Sequence, residues 1–167
     1  VMTDSLFLER LALGGDAVGR QPAVEPGRQG QVVFVPFGAP GDRVVLSSLR
    51  KENSFARGWV GEILESSSQR ANPSCPLFFQ PGRSPHEVCG GCDWQHLSYS
   101  SQTSGKRALL TETLQRIGKI AKPTVEETVS APSEEAQWHY RNKGLVPFAR
   151  DVKGKIVAGF YAPRSHT

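Results

Sequence analysis

The chain has 167 residues, 22 % of them charged, with a net charge of +4 and a sequence pI near 9.2. Seventeen glycines and twelve prolines, against one methionine and three tyrosines, describe a turn-rich chain of short strands and exclude a helical bundle. No run approaches the roughly 18 apolar residues of a membrane span and no basic-then-apolar leader opens the sequence, so the protein is expected in the cytoplasm.

The length allows one ordinary domain or two small ones. Charge is unevenly spread. Residues 1–66 carry seven Lys+Arg against eight Asp+Glu, residues 67–125 carry seven against three, and residues 126–167 carry six against five. The basic excess therefore lies in the middle of the chain, which permits a nucleic-acid partner without requiring one.

In chain order, SLFLERLAL (5–13) reads as a strand and GGDAVGR (14–20) as a turn. The latter is not a phosphate loop: it lacks the GxGxxG order, and Pro22 and Pro26 fall where a helix would have to start. GQVVFVPF (30–37) is a β-branched strand, GAPGD (38–42) a tight connection, and RVVLSSL (43–49) and ARGWVGEIL (56–64) two further strands. Strands in this number with no helix between them predict a small antiparallel barrel. Phe55, Arg57 and Trp59 are a candidate binding edge of that barrel, although alternation along a strand also describes ordinary core and surface.

Residues 67–96 have little periodicity and contain Pro73, Pro76, Pro81 and Pro85. Such a segment needs a covalent or metal staple to be ordered. From Ser98 the period changes: Tyr99, Thr103, Lys106, Leu110, Leu114 and Ile117 recur at helical steps, and Gly118 stands at the expected C-cap. Gly105 costs this helix about 1 kcal/mol relative to alanine, and Pro123 ends the element. The β pattern returns in WHYRNKGLVPFARD (138–151) and KIVAGFYAP (155–163), which flank the hairpin turn VKGK.

All three cysteines, Cys75, Cys89 and Cys92, lie within one eighteen-residue stretch in the pattern C-x13-C-G-G-C. In a reducing compartment this points to metal or redox work rather than disulfides. The glycines allow tight backbone folding around a metal and let N–H groups point at sulfur. Zinc would be satisfied by Cys75, His86, Cys89 and Cys92, whereas an iron-sulfur cluster prefers four thiolates; spacing alone leans to zinc. Ordinary loop thiols, and a redox pair at Cys89 and Cys92 that lacks a βαβ context, are the weaker readings.

The residues around the cysteines carry a resemblance. RANPSC, CGGCDWQHLSYSSQ, Lys106 and LQRIG resemble the cluster-binding segment of the SAM-dependent RNA uracil-5-methyltransferases. VFVPFGAPGDRV resembles the TRAM domain that opens many of those enzymes, and WHYRNKG and GFYAPRSH resemble the β-rich central domain that follows. The resemblance implies a mainly β fold with one helix: an OB-like TRAM barrel over residues 1–66, a cysteine loop and helix over 67–122, and the truncated start of a β-rich central domain over 123–167. It implies a 4Fe-4S cluster on Cys75, Cys89 and Cys92, with the fourth cysteine beyond Thr167 after the Ser165-His166 pair, and it shifts the preference from zinc to iron-sulfur.

Two departures qualify the match. The family's first two cysteines are usually five residues apart, so QPGRSPHEV looks like an inserted loop; the added closure entropy is only a fraction of a kcal/mol, and His86 stays an alternative ligand. The family's nucleophile, base and SAM site belong to a Rossmann-like domain that this chain lacks, so no catalytic or SAM-binding residue is expected here. The implied work is RNA binding, to ribosomal or transfer RNA, by a monomeric N-terminal fragment. Candidate contacts are Trp94 and Gln95 after the C-G-G-C turn, with His96 beside them, and Tyr140, Arg141 and Lys143, where alternate basic residues on a strand would face a phosphate backbone. The alternative is a stand-alone RNA-binding module with a structural zinc site.

Overall fold

The structure, a computed structural model, describes residues 5–23 and 29–165. Five strands form a closed barrel: β1 (Leu6–Leu11), β2 (Ala17–Arg20), β3 (Val32–Val35), β4 (Arg43–Lys51) and β5 (Phe55–Glu65), in the order β1-β2-β3-β5-β4. The strand period is visible in β1, where Leu6 and Leu8 are buried while Phe7 and Glu9 face out. Val33, Val35, Val44, Ala56 and Val60 complete the barrel interior. The mainly β, OB-like class expected from the sequence is present.

Two details differ from expectation. GGDAVGR is a turn only at Gly14 and Gly15, whose φ values of +97° and +94° suit glycine; from Ala17 the chain pairs with both β1 and β3. The barrel is also not wholly antiparallel. The connection after β3 carries the chain to the far side of β1, where β4 pairs antiparallel through Leu6↔Val44. The β4–β5 hairpin then returns β5 parallel to β3, with Val33↔Ala56 in register.

Asp42 closes the barrel onto the segment that follows it. Its carboxylate is fully buried and accepts from the Ala39 and Ser67 amides at 2.7 and 2.9 Å. It also receives Arg70, Nε at 3.0 Å and Nη2 at 2.7 Å, while the same Nη2 donates to the Phe37 carbonyl at 2.9 Å. Phe37, held at a left-handed φ of 60°, stacks on Phe79 with centroids 4.7 Å apart and meets Phe78 edge-on at 5.2 Å. Phe78, Phe79, Val88 and Leu97 thus belong to the same apolar cluster as Leu8 and Val35. The proline-rich segment borrows the barrel's core instead of building one.

Helix α1 (Tyr99–Arg116) starts at Ser98, whose side chain accepts from the Ser101 amide. Its inner face is not the expected apolar stripe. Leu110 is 50 % and Ile117 70 % exposed, whereas Leu109 packs on the core. Gly105 explains the rotation: a Cβ there would come within 2.9 Å of Leu11, with the Trp94 ring 3.7 Å away. The helix approaches the barrel through its glycine. At the other end Ile117 is the C-cap and Lys119, not Gly118, takes the left-handed conformation; Gly118 is needed because a Cβ would meet the Leu114 carbonyl at 2.7 Å.

Residues 125–131 run back along α1, held by Arg107 to the Val125 carbonyl, Thr128 to the Thr103 carbonyl and the Ala131 amide to the Tyr99 hydroxyl. The last β region is smaller than its sequence pattern. Only β6 (Phe148–Arg150) and β7 (Ile156–Ala158) pair, around a turn in which the Asp151 carboxylate accepts from the Lys153 and Lys155 amides. Residues 138–147 form no strand; among the described residues the Gly159 amide extends the pairing only as far as the Pro147 carbonyl, at 3.2 Å.

Removing one partner of the Asp42 cluster strands the other charge in an apolar junction. Asp42→Ala is expected to cost about 3–5 kcal/mol, read as a lower midpoint in urea unfolding of the whole chain.

Candidate metal centre and nucleic-acid interface

The thirteen residues between Cys75 and Cys89 fold on themselves. Ser84 and Glu87 form a capping box around a single 3-10 turn, Pro85–Glu87. Arg83 donates to the Pro76 and Glu87 carbonyls, and Phe78, Phe79 and Val88 anchor both limbs in the core. The Cys89 amide then donates to the Leu77 carbonyl at 2.9 Å, which returns the chain to within two residues of Cys75. Across the base of the whole loop, the Ala71 amide donates to the His96 carbonyl and the Ser98 amide to the Gln69 carbonyl. The long gap is thereby a compact excursion that brings Cys89 back beside the segment of Cys75.

The C-G-G-C turn is clasped by residues 160–163. The Gly90 amide donates to the Tyr161 carbonyl at 3.0 Å. A Cβ at Gly90 would stand 2.6 Å from that oxygen, and one at Gly91 would stand 3.0 Å from the Phe160 ring. The Gly91 N–H donates to the Cys89 sulfur at 3.4 Å. Arg164 pairs with Asp16 of the barrel, which also faces Arg57 at 3.5 Å. Burial pushes the Asp16 carboxyl up, while Arg164 and then Arg57 pull it down.

The three cysteines are free; Cys75 and Cys89 are half-buried and Cys92 is exposed. Among the described residues no three of His, Cys, Asp and Glu are gathered as a metal site. What the loop offers is its donor chemistry: three thiols in one loop system, glycines that admit no Cβ, and an amide on one sulfur. Sulfur donors of this kind suit a metal or cluster, but the described residues do not bring Cys75, Cys89 and Cys92 together as one such site. His86 lies on the exposed outer turn of the excursion, its amide donating to Ser84 Oγ.

The expected RNA contacts divide. Trp94 is turned inward, its indole N–H donating to the Gly15 carbonyl at 2.8 Å and its ring against Gly105. Gln95 accepts from the Cys75 amide at 3.3 Å, and His96 is buried, its Nε2 3.0 Å from the Gly38 carbonyl. All three are engaged in joining the barrel, the cysteine loop and α1. Tyr140, Arg141 and Lys143 are exposed, but they share no strand and hence no face defined by alternation. Of the barrel trio, Phe55 meets Phe34 edge-on at 5.5 Å and Arg57 lies over both rings, whereas Trp59 packs on the core.

Sequence reasoning missed Arg10, Arg20 and Arg116. They line one groove between the barrel and α1, yet lie far apart in the chain with no local pattern to mark them.

Taken by fold and site, this is an OB-like barrel protein with a thiol-bearing loop clamped against it. No family model matches the chain. It is 36 % identical over 152 residues to an uncharacterized RNA methyltransferase of Nostoc sp., covering 91 % of this chain and 29 % of that protein. It is 34 % identical over 166 residues to another from Gloeobacter violaceus, covering 98 % and 32 %. A solved structure of the Pyrococcus abyssi tRNA (uracil-54, C5)-methyltransferase in complex with S-adenosyl-L-homocysteine aligns with a TM-score of 0.46 and 22 % identity, over 80 % of this chain and 25 % of that chain. The chain belongs to the RNA methyltransferase family represented by the curated relatives, and it spans about 30 % of the length of these two. Among the described residues no helix is long and apolar enough to cross a membrane.

Two outcomes follow from this geometry. Burial holds the His96 pKa down at about 4 from its ordinary 6.5, and Nδ1 is buried without a partner among the described residues. The neutral ring therefore contributes stability above pH 6.5, and that contribution, on the order of 3 kcal/mol, is lost as pH falls from 6.5 toward 4. Unfolding free energy measured across that window should slope downward on acidification, and His96→Gln should flatten the slope. Separately, Arg164→Ala removes the pairing with Asp16 that holds the clasp, so alkylation of Cys89 by iodoacetamide should quicken several-fold while the far-UV spectrum stays unchanged.

Proposed function

We propose that the chain is the RNA-binding, cluster-bearing part of an SAM-dependent RNA uracil-5-methyltransferase whose catalytic domain lies outside it. The observation that carries this reading is the seating of residues 160–163 on the C-G-G-C turn, with room for no side chain at Gly90. Because the Tyr161 segment sits against the cysteine loop, it supports the reading that a cysteine after Thr167 joins Cys75, Cys89 and Cys92 as a fourth thiolate. The membership of the RNA methyltransferase family adds to this.

In this reading residues 1–66 are the TRAM barrel, 67–122 the cluster loop and helix, and 123–167 the start of the central domain. The 4Fe-4S cluster is a structural staple, binding the proline-rich loop, the C-G-G-C turn and the next domain through one set of ligands. S-adenosylmethionine supplies the methyl group in the other domain. There a cysteine thiolate would add to uracil C6, making C5 nucleophilic enough to take the methyl, and removal of the C5 proton by a carboxylate base would expel the thiolate from C6 and restore the C5–C6 double bond. This chain's own residues bind and hold the ribosomal or transfer RNA; none is assigned a catalytic role.

Protein purified without oxygen is expected to be brown and to contain iron with acid-labile sulfide. The iron content should rise when the chain is extended through its next cysteine and fall in Cys89→Ser and Cys92→Ser. Colourless protein carrying one zinc per chain would overturn the cluster assignment in favour of a zinc module. For RNA, alanine at both Arg141 and Lys143 should weaken binding and flatten its salt dependence; an unchanged titration would remove both from the interface.

A further inference from the structure

A groove of about 690 Å³ runs between the barrel and α1. It is lined by three arginines from three elements, Arg10 of β1, Arg20 of β2 and Arg116 at the end of α1. The acidic lining residue among the described ones is Glu112, and it is shared: Oε2 accepts from Arg10 at 3.2 Å and Oε1 from Arg116 at 2.6 Å. One carboxylate thus holds two guanidinium groups at a set spacing without cancelling both, and each guanidinium keeps most of its five donors. Arg20 uses one donor on the Gly30 carbonyl. The lining is basic although residues 1–66 as a whole are not.

The same groove is lined by Phe34 and Phe55, neighbours on the parallel β3–β5 pair, with the Arg57 guanidinium 5.8 and 5.3 Å from their ring centroids. Neither ring is buried in the barrel core. Flat aromatic surface beside fixed guanidinium groups matches a polymer that alternates planar bases with phosphates. A duplex would hide its base faces, so the matching form is single-stranded.

We infer that this groove is a binding track for a single-stranded RNA segment, with phosphates on Arg20 and Arg116 and a base against Phe55. This deepens the RNA reading above and rests on it. It adds a contact surface built jointly by the barrel and α1, separate from Arg141 and Lys143. Glu112 is a positioning residue that sets the separation of Arg10 and Arg116.

The test is binding of a short fluorescent single-stranded RNA to the whole chain across a salt series. Removing two phosphate contacts in R20A/R116A should reduce the slope of log K against log salt by about 1.4, at about 0.7 per contact. At fixed salt, Phe55→Leu, which keeps an apolar side chain but loses the ring, should weaken binding about fivefold or more. If the wild type binds no RNA, the RNA reading itself fails, and this inference with it. If the wild type binds and only R141A/K143A weakens it, the groove inference alone is overturned. Displacement of RNA by poly-glutamate with no effect of Phe55→Leu would also overturn it, showing a general polyanion site. Should Phe55→Leu fail to fold, photocrosslinking of 4-thiouridine RNA to the wild type gives the same decision: peptides containing Phe34, Phe55 or Arg116 are expected, and crosslinks confined to residues 138–165 refute it.

Discussion

The buried carboxylate of Asp42 is the constraint on which the remaining structure hangs. A charge with no exposed surface is tolerable only when its lone pairs are filled, and here two amides and a guanidinium fill them. The donors come from the β3–β4 connection, from Ser67 just after the barrel, and from Arg70 in the loop beyond. Satisfying one carboxylate therefore fixes the end of the barrel and the start of the cysteine segment together. Arg70 also holds the Phe37 carbonyl, and Phe37 is the ring on which Phe78 and Phe79 pack. The polar clamp and the aromatic cluster are two sides of one joint.

That joint explains how a proline-rich segment is ordered without periodic structure. Its anchors are a few large side chains inserted into an existing core, and its backbone is closed at the base by the pairing of residues 69–71 with 96–98. Trp94 and Gln102 extend the same logic to α1: the indole reaches Gly15 of the barrel, and Gln102 of the helix donates to the Trp94 and Leu97 carbonyls. Barrel, loop and helix are thereby tied to one another by hydrogen bonds through Trp94 and Gln102.

Much of the barrel was legible because a strand's period of two is a local signal, and Val33, Val35, Val44 and Val60 carry it plainly. The parallel β3–β5 pair was not, since pairing partners are set by how the chain crosses the barrel end. The helix was legible but its face was not: the contact is made by Gly105, a residue that helical patterning treats as a defect. The terminal strands failed for the opposite reason. Residues 138–147 carry strand-forming side chains, but hydrogen-bond partners decide, and the pairing with β7 reaches only the Pro147 carbonyl among the described residues. That the three cysteines share one loop was visible in their spacing, yet the clasp by residues 160–163 was not.

Charge shows most sharply what counting along the chain leaves out. The sum over residues 1–66 is near neutral, and the basic excess along the chain lies in the segment after the barrel. Folding redistributes that sum. Asp42 and Asp16 are drawn inward onto arginines, and Glu112 is divided between two more, while Arg10, Arg20 and Arg116 converge on one groove. Acidic groups that are buried or shared contribute little negative potential at the surface, so a barrel balanced in sequence joins Arg116 of the basic segment to present a basic face in space. The face lies beside the two rings of β3 and β5, and that adjacency, which no composition measures, is what gives a diffuse positive charge a chemically specific shape.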